Sequence, residues 1–264
     1  MTGTENISEK YMQDGYVSPL NILSPQEAMA HRNKLEAVEA DHGPIHYKSK
    51  VHTLLNFAAD LAIQPNVLDL VEQFIGPDIM LFDVTYIVKE PLSKSHVSWH
   101  QDLTYWGLSN DDQVSMWLAL SPATDISGCM RMIPGSHQQG KLKHLDSDDP
   151  SNVLFRGQSV QGVDEDAAIM CPLQPGQASF HHGWTLHASM PNNSDDRRIG
   201  FNVQYISPSA RQTLHDLDTA TLVRGTDRFN HYKSDVFATD VMNEAAMASH
   251  AHLEKRRKET WAKA

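Results

Sequence analysis

The chain has 264 residues, 40% of them hydrophobic and 21% charged, enough apolar material for a packed core and too much for global disorder. Its 22 Lys and Arg stand against 33 Asp and Glu, a formal charge of −11, which disfavours a nucleic-acid partner. Two cysteines make no disulfide framework, no apolar run reaches the ~18 residues of a membrane span, and the polar start MTGTENISEKYMQDGY has no signal-peptide core. The expected setting is the cytoplasm, without a membrane partner. Fifteen histidines make a metal worth seeking.

In chain order, a helical region is expected from about 20 to 75. Ser24-Pro25-Gln26-Glu27 reads as an N-cap followed by proline in the first turn and an acid at the third position. TLLNFAADLAIQPNVLDLVEQFIG has apolar residues at helical spacing, broken at Pro65 and stopped by Gly76. From Pro77 the period changes. IMLFDVTYIV, VSMWLALS, GCMRMI, AAIMC, QASFHH and RRIGFNVQYI read as short strands separated by turn signals such as KEPLSK and LQPGQ. The tail, about 235 to 264, reads as an amphipathic helix. Helices followed by strands without alternation argue against a Rossmann-type sheet. The expected fold is mainly β with α: one domain over 1–264, a double-stranded β-helix (jelly roll, cupin-like) core over about 77–207, with N-terminal and C-terminal helices packed outside.

Two strands alternate. In RRIGFNVQYI, Ile199, Phe201, Val203 and Tyr205 oppose Arg198, Gly200, Asn202 and Gln204. In MLFDVTYIVK, Phe82, Val84 and Tyr86 oppose Asp83, Thr85 and Ile87. A polar face is either solvated or lines a ligand cavity.

Trp99-His100-Gln101-Asp102 puts an imidazole and a carboxylate two apart, on one side of an extended strand. A third ligand from a distant strand completes a 2-His-1-carboxylate set with three open positions. The pair alone is weak evidence, because His144-Leu145-Asp146 and His252-Leu253-Glu254 repeat it. The former reads as solvated loop charges; the latter lies in the tail helix, where i and i+2 diverge. What distinguishes His100 is TLHASMPNNSDDRRIGFNVQY: His187, then Ser189, then a polar turn that brings Arg198 back beside the histidine. A guanidinium fork is suited to gripping a carboxylate in bidentate fashion, whereas Arg197 reads as a surface charge.

From about Lys50 to Tyr205 the sequence resembles the phytanoyl-CoA dioxygenases, in GPDIM before a strand, WHQDLTYW, SGCMRMIPGSH and the His187-to-Arg198 spacing. The resemblance implies an Fe(II)- and 2-oxoglutarate-dependent dioxygenase consuming O2, with iron on His100, Asp102 and His187. Arg198 and Ser189 would hold the cosubstrate carboxylate, Trp117 would pack on it, Thr85 would sit beside it and Lys50 would reach it. In the family's halogenases a small residue replaces the carboxylate, so Asp102 disfavours halogenation. The expected reaction is hydroxylation of a C–H bond in a small polar metabolite, an aminophosphonate or other amine-bearing compound, with succinate and CO2 released.

Candidate substrate contacts are Asp83, Asn202, Gln101 and Tyr105. Asp83 would face an amine, or else pair with Lys89 or Arg131. His181 and His182 alternate, one in and one out. The alternatives are an acyl-CoA hydroxylase, a redox-neutral cupin-type metal enzyme and a non-catalytic sensor of 2-oxoglutarate or a metabolite.

Overall fold

The computed structural model describes residues 6–214 and 218–263; the first five residues of the polar N-terminal segment lie outside them. The elements in chain order are α1 (Ile7–Asp14), β1 (Tyr16–Asn21), α2 (Pro25–His42), α3 (Asn56–Ala62), α4 (Pro65–Ile75), β2 (Ile79–Lys89), β3 (Val97–His100), β4 (Gln113–Ala119), β5 (Met130–Met132), β6 (His144–Leu145), β7 (Ser159–Val160), β8 (Ile169–Cys171), β9 (Gln177–His181), β10 (His187–Ser189), β11 (Arg198–Ile206), β12 (Thr221–Arg224) and α5 (Glu244–Lys263).

Local chemistry sets several boundaries. Ser24 Oγ donates to Glu27 Oε2 at 2.7 Å while the Glu27 amide donates back to Ser24 Oγ at 3.2 Å, a reciprocal cap that starts α2. Pro65 opens α4, and Gly76 ends it at φ 85, where a side chain would be strained. The expected strands are all present, with ends shifted by up to two residues. The sequence reading gave no element before residue 20, yet α1 and β1 form there. In β1, Tyr16 faces His181 and Val17 faces Phe180 of β9. This strand is short and carries Pro19, which hides it from a periodicity search.

Six strands lie in the order β1-β9-β4-β11-β2-β12 and four in the order β3-β10-β5-β8; β6 and β7 form a separate ribbon. The β1–β9, β12–β2, β10–β3, β10–β5 and β5–β8 pairs are antiparallel. This is the mainly β arrangement with accompanying helices expected for a jelly roll, with both sheets open. In β2 all residues but one are buried, so neither of its faces is solvated.

The chain resolves into two compact units. The first comprises Met1–Met29, Val88–Thr104 and Trp117–Gly200. It contains the four-stranded sheet and a cluster of Trp99, Val160, Leu186 and Ala188. The second comprises Ala30–Ile87, Tyr105–Met116 and Phe201–Ala264. Its core includes His31, whose Nε2 lies 2.8 Å from the Tyr86 hydroxyl and whose ring meets Phe57 and Phe201 edge-on. Tyr205 donates from its hydroxyl to Ala62 O at 2.7 Å. Helix α5 departs from the expected apolar stripe: it buries His250, Arg257 and Thr260.

Candidate metal and cosubstrate site

The ligand set assembles within the first unit. His100 is the last residue of β3 and His187 the first of β10, and the two are paired across the ladder. Asp102 is not on a strand, as the i, i+2 argument required; it opens the 3-10 turn Asp102–Tyr105. The turn still delivers its carboxylate. Asp102 Oδ1 lies 3.5 Å from His100 Nε2 and 3.7 Å from His187 Nε2, and one donor atom from each residue falls within 4.8 Å of the others.

The imidazole orientations are fixed from behind. His100 Nδ1 lies 2.9 Å from Ser98 O and 3.0 Å from His187 O; His187 Nδ1 lies 2.9 Å from Thr185 O. Carbonyls only accept, so the ring protons sit on Nδ1 and the Nε2 lone pairs face the centre. Burial works against ionised Asp102, but the contacts with His100 and His181 outweigh it, holding the carboxyl well below its usual range. Burial, then the neighbouring His100, holds His187 well below an ordinary histidine. One ionised carboxylate and neutral imidazoles suit a divalent transition metal with open positions.

Residues around the ligands have fixed roles. Gln101, expected to touch substrate, is fully buried; its amide donates to Gly140 O at 2.8 Å and Trp184 O at 2.9 Å and accepts from Leu142 N at 2.7 Å. It braces the loop instead. In the second His-x-Asp copy Asp146 is exposed, as the solvated reading expects, but His144 is half-buried: its Nε2 accepts from the backbone N–H of Gln101 at 3.1 Å, and burial lowers its pKa to about 4. His181, at the end of β9, puts Nε2 3.2 Å from Asp102 Oδ2. Alternation alone left open which of His181 and His182 points inward.

Arg198 is 1% exposed, with its guanidinium carbon 5.0 Å from the Trp117 ring centroid. Ser189 is buried in β10 and accepts at Oγ from Lys89 Nζ at 2.7 Å. The same nitrogen lies 3.3 Å from Ser189 O and also meets Met190 O. Burial and the positive charge of Arg198 push the Lys89 pKa down to about 6. From sequence alone Lys89 is a candidate only as a partner for Asp83. Arg197 pairs at the surface with Glu90, Nη2 to Oε1 at 2.9 Å.

The remaining candidates lie in the second unit. Thr85 in β2 and Asn202 in β11 are buried. Tyr105 is buried at the end of its turn. Lys50, expected on the cosubstrate, instead donates to Phe82 O, to Thr219 O at 2.7 Å and to Asp235 Oδ2 at 3.0 Å. Its three protons are thereby committed to holding the fold. Asp83, expected to face a substrate amine, is met by Arg257 at 3.1 Å and by the amides of Lys50 and Val84. Its partner is neither Lys89 nor Arg131.

The phytanoyl-CoA dioxygenase (PhyH) family profile matches residues 11–200. A probable alpha-ketoglutarate-dependent hypophosphite dioxygenase of Stutzerimonas stutzeri is 27% identical over 162 residues, 60% of this chain and 56% of that protein. The human peroxisomal phytanoyl-CoA dioxygenase is 30% identical over 180 residues, 65% of this chain and 50% of that protein. The chain thus spans about half the length of these curated relatives. The solved structure of the non-heme monooxygenase ThoJ, apo form, superposes with a TM-score of 0.85 at 31% identity, covering 97% of this chain and 98% of that one. The chain belongs to the phytanoyl-CoA dioxygenase family of Fe(II)- and 2-oxoglutarate-dependent oxygenases.

Proposed function

We propose that the chain hydroxylates a C–H bond of a small polar metabolite, consuming 2-oxoglutarate and O2 and releasing succinate and CO2. The observation that carries this reading is the convergence of His100, Asp102 and His187, with buried Arg198 and Ser189 in the same unit. Iron(II) bound there with 2-oxoglutarate supplies the oxidation of an unactivated C–H bond by dioxygen. The protein holds the metal through two Nε2 atoms and one carboxylate, with the Nδ1 anchors fixing both rings. Arg198, stiffened against Trp117, and Ser189 hold the distal carboxylate of the cosubstrate. Asp102 fills the position a halide would need, which supports hydroxylation over halogenation.

The amine-bearing class loses its main support, since Arg257 already neutralises Asp83. An acyl-CoA is disfavoured by the net charge of −11. The family match draws on both units, which supports a single oxygenase domain over 1–264. No helix among the described residues is long and apolar enough to cross a membrane.

The test is anaerobic addition of Fe(II) and 2-oxoglutarate, followed by succinate detection in air across a panel of small metabolites. A visible metal-to-ligand charge-transfer band and substrate-stimulated succinate are expected. Both should vanish in His100→Ala and His187→Ala while the circular dichroism is retained; wild-type turnover in either variant overturns the reading.

A further inference from the structure

We infer that His181 is a positioning residue for the metal site: its Nε2–H holds Oδ2 of Asp102, so that the carboxylate presents Oδ1 alone to the ion. The inference rests on the metal reading above and adds a residue to it.

The two oxygens of Asp102 have different surroundings. Oδ1 faces the ligand imidazoles, 3.5 Å from His100 Nε2 and 3.7 Å from His187 Nε2. Oδ2 faces His181 Nε2 at 3.2 Å. A carboxylate can bind a cation through one oxygen or two, and the second mode takes up a further coordination position. In a 2-His-1-carboxylate centre that position is one of those left open for cosubstrate and dioxygen. Engaging Oδ2 in a hydrogen bond opposes the swing that would bring it to the metal.

His181 is itself firmly held. Its backbone is paired with Tyr16 in the β1–β9 ladder, its side chain is 1% exposed, and its ring lies 4.6 Å from that of His187. It is not one of the converging donors, which are those of His100, Asp102 and His187. Its Nδ1 has no hydrogen-bond partner among the described residues. The one polar anchor of this buried ring is therefore the metal-binding carboxylate. A histidine retained only for packing would not leave one nitrogen bare and aim the other at Asp102. The ring must carry a proton on Nε2 to meet a carboxylate, which only accepts.

Two variants separate the role from packing. His181→Leu removes the donor at similar bulk; His181→Gln restores an N–H near the Nε2 position. Apo protein is titrated with Co(II) alone, by calorimetry and electronic absorption, with a melt of each apo variant. His181→Leu should weaken Co(II) binding about 10- to 100-fold and alter the absorption intensity that reports coordination number, with the apo melt unchanged. His181→Gln should recover most of the affinity and the wild-type spectrum. Wild-type affinity and spectrum in His181→Leu overturn the inference, as does a loss in both variants that follows a lowered apo melting temperature. His100→Ala is the control. If it too binds Co(II) like the wild type, the metal assignment itself fails, and not the role of His181.

Discussion

The indole of Trp117 lies directly against Gly200: a Cβ added there would stand 2.0 Å from Trp117 Cζ2 and 2.2 Å from Cε2. The bare Cα of Gly200 thus leaves room for the ring on which Arg198, two residues earlier in β11, rests its guanidinium. Because the indole is rigid, Gly200→Ala must push the whole ring aside. Overpacking of this kind costs typically about 1–3 kcal/mol, or a fall of roughly 2–5 °C in melting temperature. Affinity for 2-oxoglutarate should fall as well, since the platform under Arg198 moves. An alanine variant unchanged in both melt and 2-oxoglutarate titration would show that the strand can shift to absorb the methyl.

Adjacent arginines should behave oppositely. Removing a buried charge-assisted contact costs on the order of 2–4 kcal/mol, so Arg198→Ala should weaken 2-oxoglutarate binding roughly 30- to 1000-fold. Arg197 is engaged with Glu90 at the surface, and Arg197→Ala should change binding less than about twofold. Anaerobic titration of the Fe(II) protein reads both; the reverse pattern would put the wrong arginine on the cosubstrate.

A proton should accompany the cosubstrate. With its pKa pushed down to about 6 by burial and by Arg198, Lys89 is mostly neutral at pH 7.5 in the free protein. A carboxylate held by Arg198 and Ser189 favours the charged ammonium, raises that pKa and draws in a proton. Affinity for 2-oxoglutarate should therefore rise as pH falls from 8 towards 6, then level off once Lys89 is protonated in the free protein too. Calorimetry in two buffers of different ionisation enthalpy counts the proton directly. Lys89→Met should remove both the uptake and the slope; a slope that survives the substitution belongs to another group.

Asp83 should matter for stability and not for the substrate constant. Arg257→Met leaves a carboxylate buried without its cation, and breaking such a pair costs roughly 3–5 kcal/mol. Adding Asp83→Asn should return much of that loss, because the lone charge disappears while the side chain can still accept from the Lys50 and Val84 amides. Urea unfolding of Arg257→Met, of Asp83→Asn and of the double variant measures the coupling. A single Arg257→Met variant within about 0.5 kcal/mol of wild type would mean water replaces the guanidinium without cost.

What could be read from the sequence divides along physical lines. Period and turn chemistry are local, so β2, β11 and the helices of residues 25–75 were legible. So were His100, Asp102 and His187, because their spacing is itself chemical. Alternation also put Asp83 on a polar face correctly. It could not name the partner, since a strand face says which way a side chain points and not what arrives opposite. Lys50 and Asp235 are 185 residues apart, and Asp83 and Arg257 are 174 apart. Helix α5 was found as a helix but misjudged as to what it buries, because Arg257 enters the interior as a counter-charge and its sequence carries no apolar stripe. His181 and Lys89 gave no signal of their own. Each acquires meaning only from the oxygen it meets in the folded chain.

The wide separation of Asp83 and Arg257 also sets an order of events at the ribosome. At about 5–20 residues per second, the guanidinium is synthesised roughly 10–35 s after the carboxylate it neutralises. Until then β2 carries a bare charge that holds water, and the second unit cannot close dry around it. Helix α5 is thus the element that lets the middle of the chain finish folding, and a nascent chain stalled before residue 244 exposes an unneutralised strand to whatever binds unfinished proteins.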